Sequence, residues 1–239
     1  KEWSEALMRI DAVEHDQVAA QDLFNAIVAF NGVLQPLAKQ RRTQPADDLV
    51  SVWANADIDG FTYDSIRLYH EVGLFIAGGA ETTRTAISHG LRTFCDHPDQ
   101  WNHLAAHPEA IPTAVEEVIR WVSPLNNFFR NAAADTSLAG ADLAEGDRLI
   151  LLYPAANRDP RVFDDPNRFD TTRSPNPHLG FGQGTHFCIG ANLARYELAI
   201  LFEELTKRIT GLSPVTEPDV EPNIFARAVR SFHLGFTLR

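Results

Sequence analysis

The chain has 239 residues, 44% of them hydrophobic and 22% charged, and its 32 acidic against 21 basic side chains give a formal net charge of −11. A chain of this length buries roughly 70–75% of its extended surface on folding, so the composition excludes a disordered segment and a disulfide-stapled miniprotein. The acidic balance offers no electrostatic support for capturing nucleic acid or an anionic membrane, and the charge-free apolar stretch from Val72 to Ala80 is far shorter than the ~20 residues of a membrane span.

Leu23, Ile27, Phe30, Leu34 and Leu37 recur at steps of three and four, which predicts an amphipathic helix over residues 17–42. Lys39, Arg41 and Arg42 close it, complementing the helix dipole. Pro45 breaks the pattern, Asp47 or Asp48 is placed to cap a short helix running to about Ala56, and residues 57–60 form a turn. Leu68, Val72, Phe75, Gly79, Thr83, Ala86, Gly90 and Phe94 then hold helical spacing over about residues 62–95, a helix ~50 Å long. His97-Pro98 stops it, and two shorter helices follow at 99–107 and 113–122, each after a Pro-marked break.

From Pro124 to Tyr153 the helical period gives way to short runs separated by turns at Gly140 and Gly146, a small β region ending in the strand-like residues 148–153. Residues 154–187, rich in Pro, Asn, Asp and Arg, form a long irregular connection of the kind that is usually functional. A last helix is predicted over 191–210, and the tail ends in a strand-like run at 232–238. The fold class is mainly α with a small β region. Two cysteines, Cys95 and Cys188, imply no disulfide framework and fit a reducing cytoplasm. The chain opens at Lys1 with no leader pattern, which reads as a start within a longer protein.

Three segments carry chemistry. Phe181-Gly182-Gln183-Gly184-Thr185-His186-Phe187-Cys188-Ile189-Gly190 precedes the last helix; its glycines permit a close backbone approach to a flat partner, and the helix N-terminus favours a thiolate at Cys188. That suits a metal ligand; a buried structural cysteine and a nucleophile paired with a remote His are the alternatives. Gly78-Gly79-Ala80-Glu81-Thr82 puts two glycines in mid-helix at ~1 kcal/mol each relative to Ala, either because something large needs the backbone there or because another helix packs tightly. Glu81 and Thr82 set an acid and a hydroxyl beside that gap. Glu117 and Arg120 can pair on one helix face, as surface residues often do.

In this order the segments resemble the cytochrome P450 family. The E-x-x-R motif at Glu117 and Arg120, the P-x-R-F-like Pro166-Asn167-Arg168-Phe169, the F-G-x-G-x-H-x-C-x-G loop and the central-helix motif at Gly78 to Thr82 are all present. The resemblance runs from about residue 17 to the C-terminus, so that residues 1–239 read as one partial P450 domain with its central helix at about 62–95 and its haem-thiolate loop at 180–190; roughly the first two-fifths of a family member has no counterpart.

The resemblance implies haem b, iron protoporphyrin IX, with Cys188 as the proximal thiolate ligand of the metal. It implies that His186 and Arg130 bind the haem propionates, that Phe181 packs beside the porphyrin, that Gly79 and Ala80 face its distal side, and that Glu81 and Thr82 deliver protons. Glu117, Arg120 and Arg168 would form a buried structural triad. The implied activity is insertion of one oxygen atom of O2 into a C–H bond of an apolar small molecule, with electrons from a ferredoxin or similar donor; a noncatalytic haem-binding or interaction relic is the alternative. Pro175-Asn-Pro-His-Leu-Gly180 and Cys188 to Arg195 look like bacterial members acting on steroids and branched lipids. Residues 75–80, 125–129 and 223–226 would face the substrate, with Asn126, Asn127 and Asn223 as polar anchors, and Arg195, Arg173 and the Arg120 neighbourhood would form a basic docking patch for the electron donor.

Overall fold

The computed structural model describes Trp3, Ala6 and residues 13–239. The chain packs as two compact units, residues 1–81 and 82–239.

In the first unit, α1 (Gln17–Thr43) starts where the Asp16 carboxylate accepts the backbone N–H groups of Val18 and Ala19 at 2.9 and 3.2 Å, satisfying donors that have no partner within the helix. Its buried residues, Ala19, Ala26, Phe30, Leu34 and Ala38, lie at intervals of seven, four, four and four, one apolar stripe. Asp48 caps α2 (Leu49–Ala54) through the N–H of Ser51 and pairs with Arg41 at 2.6 Å. The anticipated turn is the tip of a minimal hairpin, β1 (Asp57–Ile58) and β2 (Phe61–Thr62), with Asp59 and Gly60 at positive φ. The long helix α3 runs Ser65–Asp96, and its Leu68 and Val72 close a core with Phe30, Leu34 and Ala38.

The second unit contains α3 from Thr82 onward, α4 (Pro98–Ala106) and α5 (Ile111–Val122). A β region follows: β3 (Asn127–Asn131) pairs antiparallel with β6 (Arg148–Leu152), and β4 (Thr136–Leu138) with β5 (Ala141–Leu143). The short α6 (Tyr153–Ala156) leads into the irregular connection, and α7 (Ala191–Arg208) follows it. Phe94 stands at the centre of the core, edge-on to Trp101, Phe169 and Phe202 at 5.4–5.5 Å between ring centroids, each such pair contributing about 0.5–1.5 kcal/mol beyond its buried area. A Cβ at Gly90 would meet Val118 at 2.8 Å, so α3 and α5 touch where no side chain intervenes.

The last helix ends two residues before the predicted Thr210. Ile209 and Thr210, both β-branched, open β7 (Ile209–Pro214) instead, because β10 (Leu234–Leu238) supplies an antiparallel partner. Between them β8 (Asp219–Val220) pairs with β9 (Val229–Ser231). Among the described residues no helix is long and apolar enough to cross a membrane.

Candidate functional site

The loop before α7 is shaped by its glycines. Gly182 and Gly184 both adopt left-handed backbone, φ +71° and +72°, and a Cβ at Gly182 would meet the His186 carbonyl at 3.4 Å and the Tyr153 hydroxyl at 3.8 Å. Residues Gly184–His186 form one 3-10 turn, and the Cys188 N–H donates to the Phe181 carbonyl at 2.9 Å. Gly190 flanks the start of α7 with no side-chain cap, leaving the positive end of the helix dipole next to Cys188. The Cys188 and His186 side chains are exposed, as are Phe187 and Ile189, and no side chain among the described residues hydrogen-bonds the Cys188 thiol. This removes the buried structural cysteine as a reading, and the nucleophile reading has no orienting base. The other cysteine, Cys95, is partly buried, and burial pushes its thiol pKa up.

Beneath the loop lies a charged clamp. Glu116 on α5 receives a two-pronged bond from Arg195 on α7, at 2.6 and 2.9 Å, and one from His178 Nε2 at 3.0 Å. His178 Nδ1 accepts the Gly180 N–H at 3.1 Å, which fixes the proton on Nε2 and makes that nitrogen the donor to Glu116. The Arg195 guanidinium stacks 4.5 Å from the Phe181 ring centroid. Burial would raise the Glu116 pKa, but the bonds from His178 and Arg195 override it and hold the carboxyl at about 2, and Glu116 in return raises Arg195. Phe181 is thus held from one side by Arg195 and gives its carbonyl to Cys188 on the other.

The adjacent Glu117 and Arg120 are wholly buried rather than a surface pair. Arg120 donates to both Glu117 oxygens at 2.7 and 2.8 Å and to the carbonyls of Asn157, Pro166 and Arg168, using the planar guanidinium to pin three points of the irregular connection to α5. Glu117 also accepts the Asp170 N–H and the Asn176 amide, and lies 3.2 Å from Arg173 Nε. Asn157 accepts the Leu179 N–H at 2.7 Å and donates to Ser123, tying the same connection to the end of α5.

Arg130 sits on β3 opposite Leu149, exposed, its guanidinium folded onto the Phe129 carbonyl. Among the described residues it makes no hydrogen bond to the 181–190 loop; β3 and the loop approach through Tyr153, whose hydroxyl neighbours Gly182 and whose ring meets Phe128 at 5.9 Å. On α3, Gly79 and Ala80 are exposed, Glu81 is buried and Thr82 half-buried. Among the described residues no atom outside the local helix lies within 4 Å of a Cβ built at Gly78 or Gly79, so helix packing does not explain that glycine pair. Gly90, about three turns further on, is the glycine that packing requires.

Comparison with known proteins agrees with this arrangement. The family model for cytochrome P450 matches residues 109–224, the span holding Glu117, Arg120, Arg130, His186 and Cys188. A steroid C26-monooxygenase of Mycobacterium tuberculosis is 37% identical over 98% of this chain and 64% of its own length. The chain belongs to the cytochrome P450 family. A linalool 8-monooxygenase of Pseudomonas putida is 38% identical over 87% of this chain and 51% of its own, and the structure of a Mycobacterium marinum P450 in complex with pseudoionone superposes with a TM-score of 0.89 at 36% identity, over 98% of this chain and 57% of that one. The chain therefore spans between about half and two thirds of the length of these relatives.

A P450 implies a haem, and the residues present fit one. Among the described residues no three His, Cys, Asp or Glu side chains converge on a metal position, so Cys188 offers a single soft donor, suited to an iron that arrives with its other ligands in a macrocycle. The exposed loop with two left-handed glycines allows a flat group to approach the backbone, Phe187 and Ile189 offer apolar surface, and His186 and Arg130 are exposed and available to anionic edges.

Two expectations carried by the P450 resemblance, the third triad arginine and the docking patch, are corrected. The third member of the buried triad is Arg173, whose side chain is 10% exposed, and not Arg168, whose side chain is 62% exposed and reaches only Asp170, at 3.7 Å; Arg168 contributes its carbonyl alone. Asn126, Asn127 and Asn223, the expected polar anchors, also bind backbone: Asn126 and Asn127 donate to the Ile224 carbonyl and Asn223 accepts the N–H groups of Phe225 and Ala226, lacing the two segments together beside the Leu125–Ala226 bridge, while Asn127 Oδ1 has no partner among the described residues. The basic docking patch dissolves, since Arg120 and Arg173 are internal and Arg195 is neutralised by Glu116. Sequence reading missed Glu116, Asn157 and Arg173 as participants; the doubled acid Glu116-Glu117 ahead of Arg120 was the one local signal for the first.

Proposed function

We propose that this chain forms the haem-thiolate part of a P450 monooxygenase, and the exposed Cys188 thiol at the uncapped start of α7 carries that reading. Bound through a thiolate, haem b supplies activation of dioxygen, placing one oxygen atom in a substrate C–H bond while two electrons and two protons reduce the other to water. Cys188 would hold the iron through its sulfur, and the peptide N–H groups at the start of α7 favour its anionic form. His186 and Arg130 would pair with the propionates, and Phe181, held by Arg195, would pack beside the porphyrin. Gly79 and Ala80 leave the α3 backbone beside Glu81 and Thr82 without bulky side chains. The Thr82 hydroxyl and the Glu81 carboxyl hold the exchangeable protons that the reduction consumes.

Electrons come one at a time from a ferredoxin or similar donor in the cytoplasm. The substrate is apolar, in the class of steroids and branched isoprenoids that the names of the similar proteins print. Haem-loaded protein supplied with ferredoxin, its reductase and NAD(P)H is to be offered steroid and terpenoid substrates under isotopically heavy dioxygen. One heavy atom per product molecule supports the assignment; product oxygen drawn from water, or haem binding with no product from any of them, would replace it with a noncatalytic haem protein.

A further inference from the structure

The second unit has a cleft of about 370 Å³ whose walls include His89, Arg92, Trp121, Arg158, Glu217 and Arg227. Its three arginines are not equivalent. The charge of Arg92 is offset by two carboxylates, with both Glu217 oxygens on it at 2.9 and 3.0 Å and Asp96 at 2.5 Å. Arg158 and Arg227 are half-buried, and among the described residues neither meets a carboxylate: Arg158 donates to the Trp121 carbonyl and stacks 4.6 Å from the Trp121 ring, and Arg227 donates to the Val122 carbonyl.

Each of these guanidiniums has five N–H donors and one carbonyl partner, and partly desolvated charges of one sign on neighbouring elements are costly unless something offsets them. Burial lowers the pKa of both, and the Arg120 and Arg227 charges lower Arg158 further. Burial pushes the His89 pKa down and outweighs the bond that Nε2 donates to the Arg227 carbonyl at 3.0 Å, so His89 adds no positive charge near neutral pH. Its Nδ1 is then an acceptor.

We propose that this cleft is a binding site for a small phosphate-bearing ligand, with Arg158 and Arg227 as its anion-binding pair. Two forked donors reaching from separate segments, the one after α6 and the one before β9, match an anion with oxygens in several directions better than a planar carboxylate, which one guanidinium satisfies alone. The volume of about 370 Å³ lies at the small end of small-molecule sites. Asp96 and Glu217, both paired with Arg92, also line the cleft and disfavour a ligand with a second anionic group.

The test is a titration of the whole chain into inorganic phosphate at constant ionic strength, read by the phosphorus NMR line width, with acetate read in parallel by competition. Phosphate should broaden saturably, acetate should fail to displace it at equal concentration, and Arg158→Gln should weaken the interaction by about tenfold, the loss expected for one charge-assisted contact. Arg227→Gln should do the same; because Arg227 also supports Val122, circular dichroism establishes its folding, and Arg158→Gln decides the matter if it unfolds. Absence of saturable broadening, equal competition by acetate or chloride, or an undiminished effect in a folded Arg158→Gln protein would each overturn the site.

Discussion

Replacing Glu116 by Gln removes the charge that joins α5, α7 and the His178 segment while keeping shape. Lowering that carboxyl from 4.5 to about 2 corresponds, at about 1.4 kcal/mol per pH unit, to about 3 kcal/mol of folding stability. With 27% of the side chain exposed, solvent screening brings the figure to about 2 kcal/mol. Because the folded-state value is depressed, the unfolded chain binds the proton more readily in the interval between the two values. The stabilisation is therefore complete above pH 4.5 and disappears as the pH falls toward 2. Urea unfolding of both proteins at pH values from 7 to 2.5 measures it: the variant should be about 2 kcal/mol less stable at pH 7, and the two curves should converge at the acid end. Other depressed carboxyls, Asp159 and Asp170 among them, contribute equally to both proteins and cancel in the difference. A deficit under about 0.5 kcal/mol at pH 7, or two curves that stay parallel down to pH 2.5, would refute the clamp.

The corrected triad separates two arginines that the motif confuses: Arg173→Ala should cost about 2–4 kcal/mol in urea unfolding, whereas Arg168→Ala should stay within about 0.5 kcal/mol, and the reverse order would restore the motif's assignment. Gly90→Ala should destabilise by about 1–3 kcal/mol because its methyl collides with Val118, while Gly79→Ala, in open space, should stabilise the haem-free chain by up to about 1 kcal/mol; thermal unfolding of both, with equal losses, would contradict the packing described. Thr82→Ala should keep haem and substrate binding yet divert reducing equivalents to peroxide, and an unchanged product yield per NAD(P)H would reject Thr82 as a proton donor.

What was legible in the sequence followed from local periodicity. The stripe from Leu68 to Phe94 predicted residues 62–95 as one helix, and Ser65–Asp96 is one helix, because a 3.6-residue repeat is a property of neighbours alone. The haem-loop glycines were legible for the same reason, since two of them take up backbone that other residues avoid. Contacts between distant segments were not. Arg168 and Arg173 are five residues apart in one irregular stretch, and only the path of that stretch over α5 decides which of them faces Glu117. That the three asparagines also lace backbone was not legible, because their partners, backbone groups of residues 224–226, have no signature in residue type. Arg195 read as a surface cation because Glu116 lies 79 positions away. Strand β7 was hidden for a related reason: nothing within residues 209–214 announces the β10 edge that holds them.

The most direct test of the account is the spectrum of the ferrous carbon monoxide complex of the haem-loaded chain. Ligation by Cys188 predicts the strongly red-shifted Soret band of a thiolate-bound haem, and its disappearance in Cys188→Ser with Cys95 left in place. A histidine-type band in the unmutated protein, or a thiolate band that survives Cys188→Ser, would contradict it.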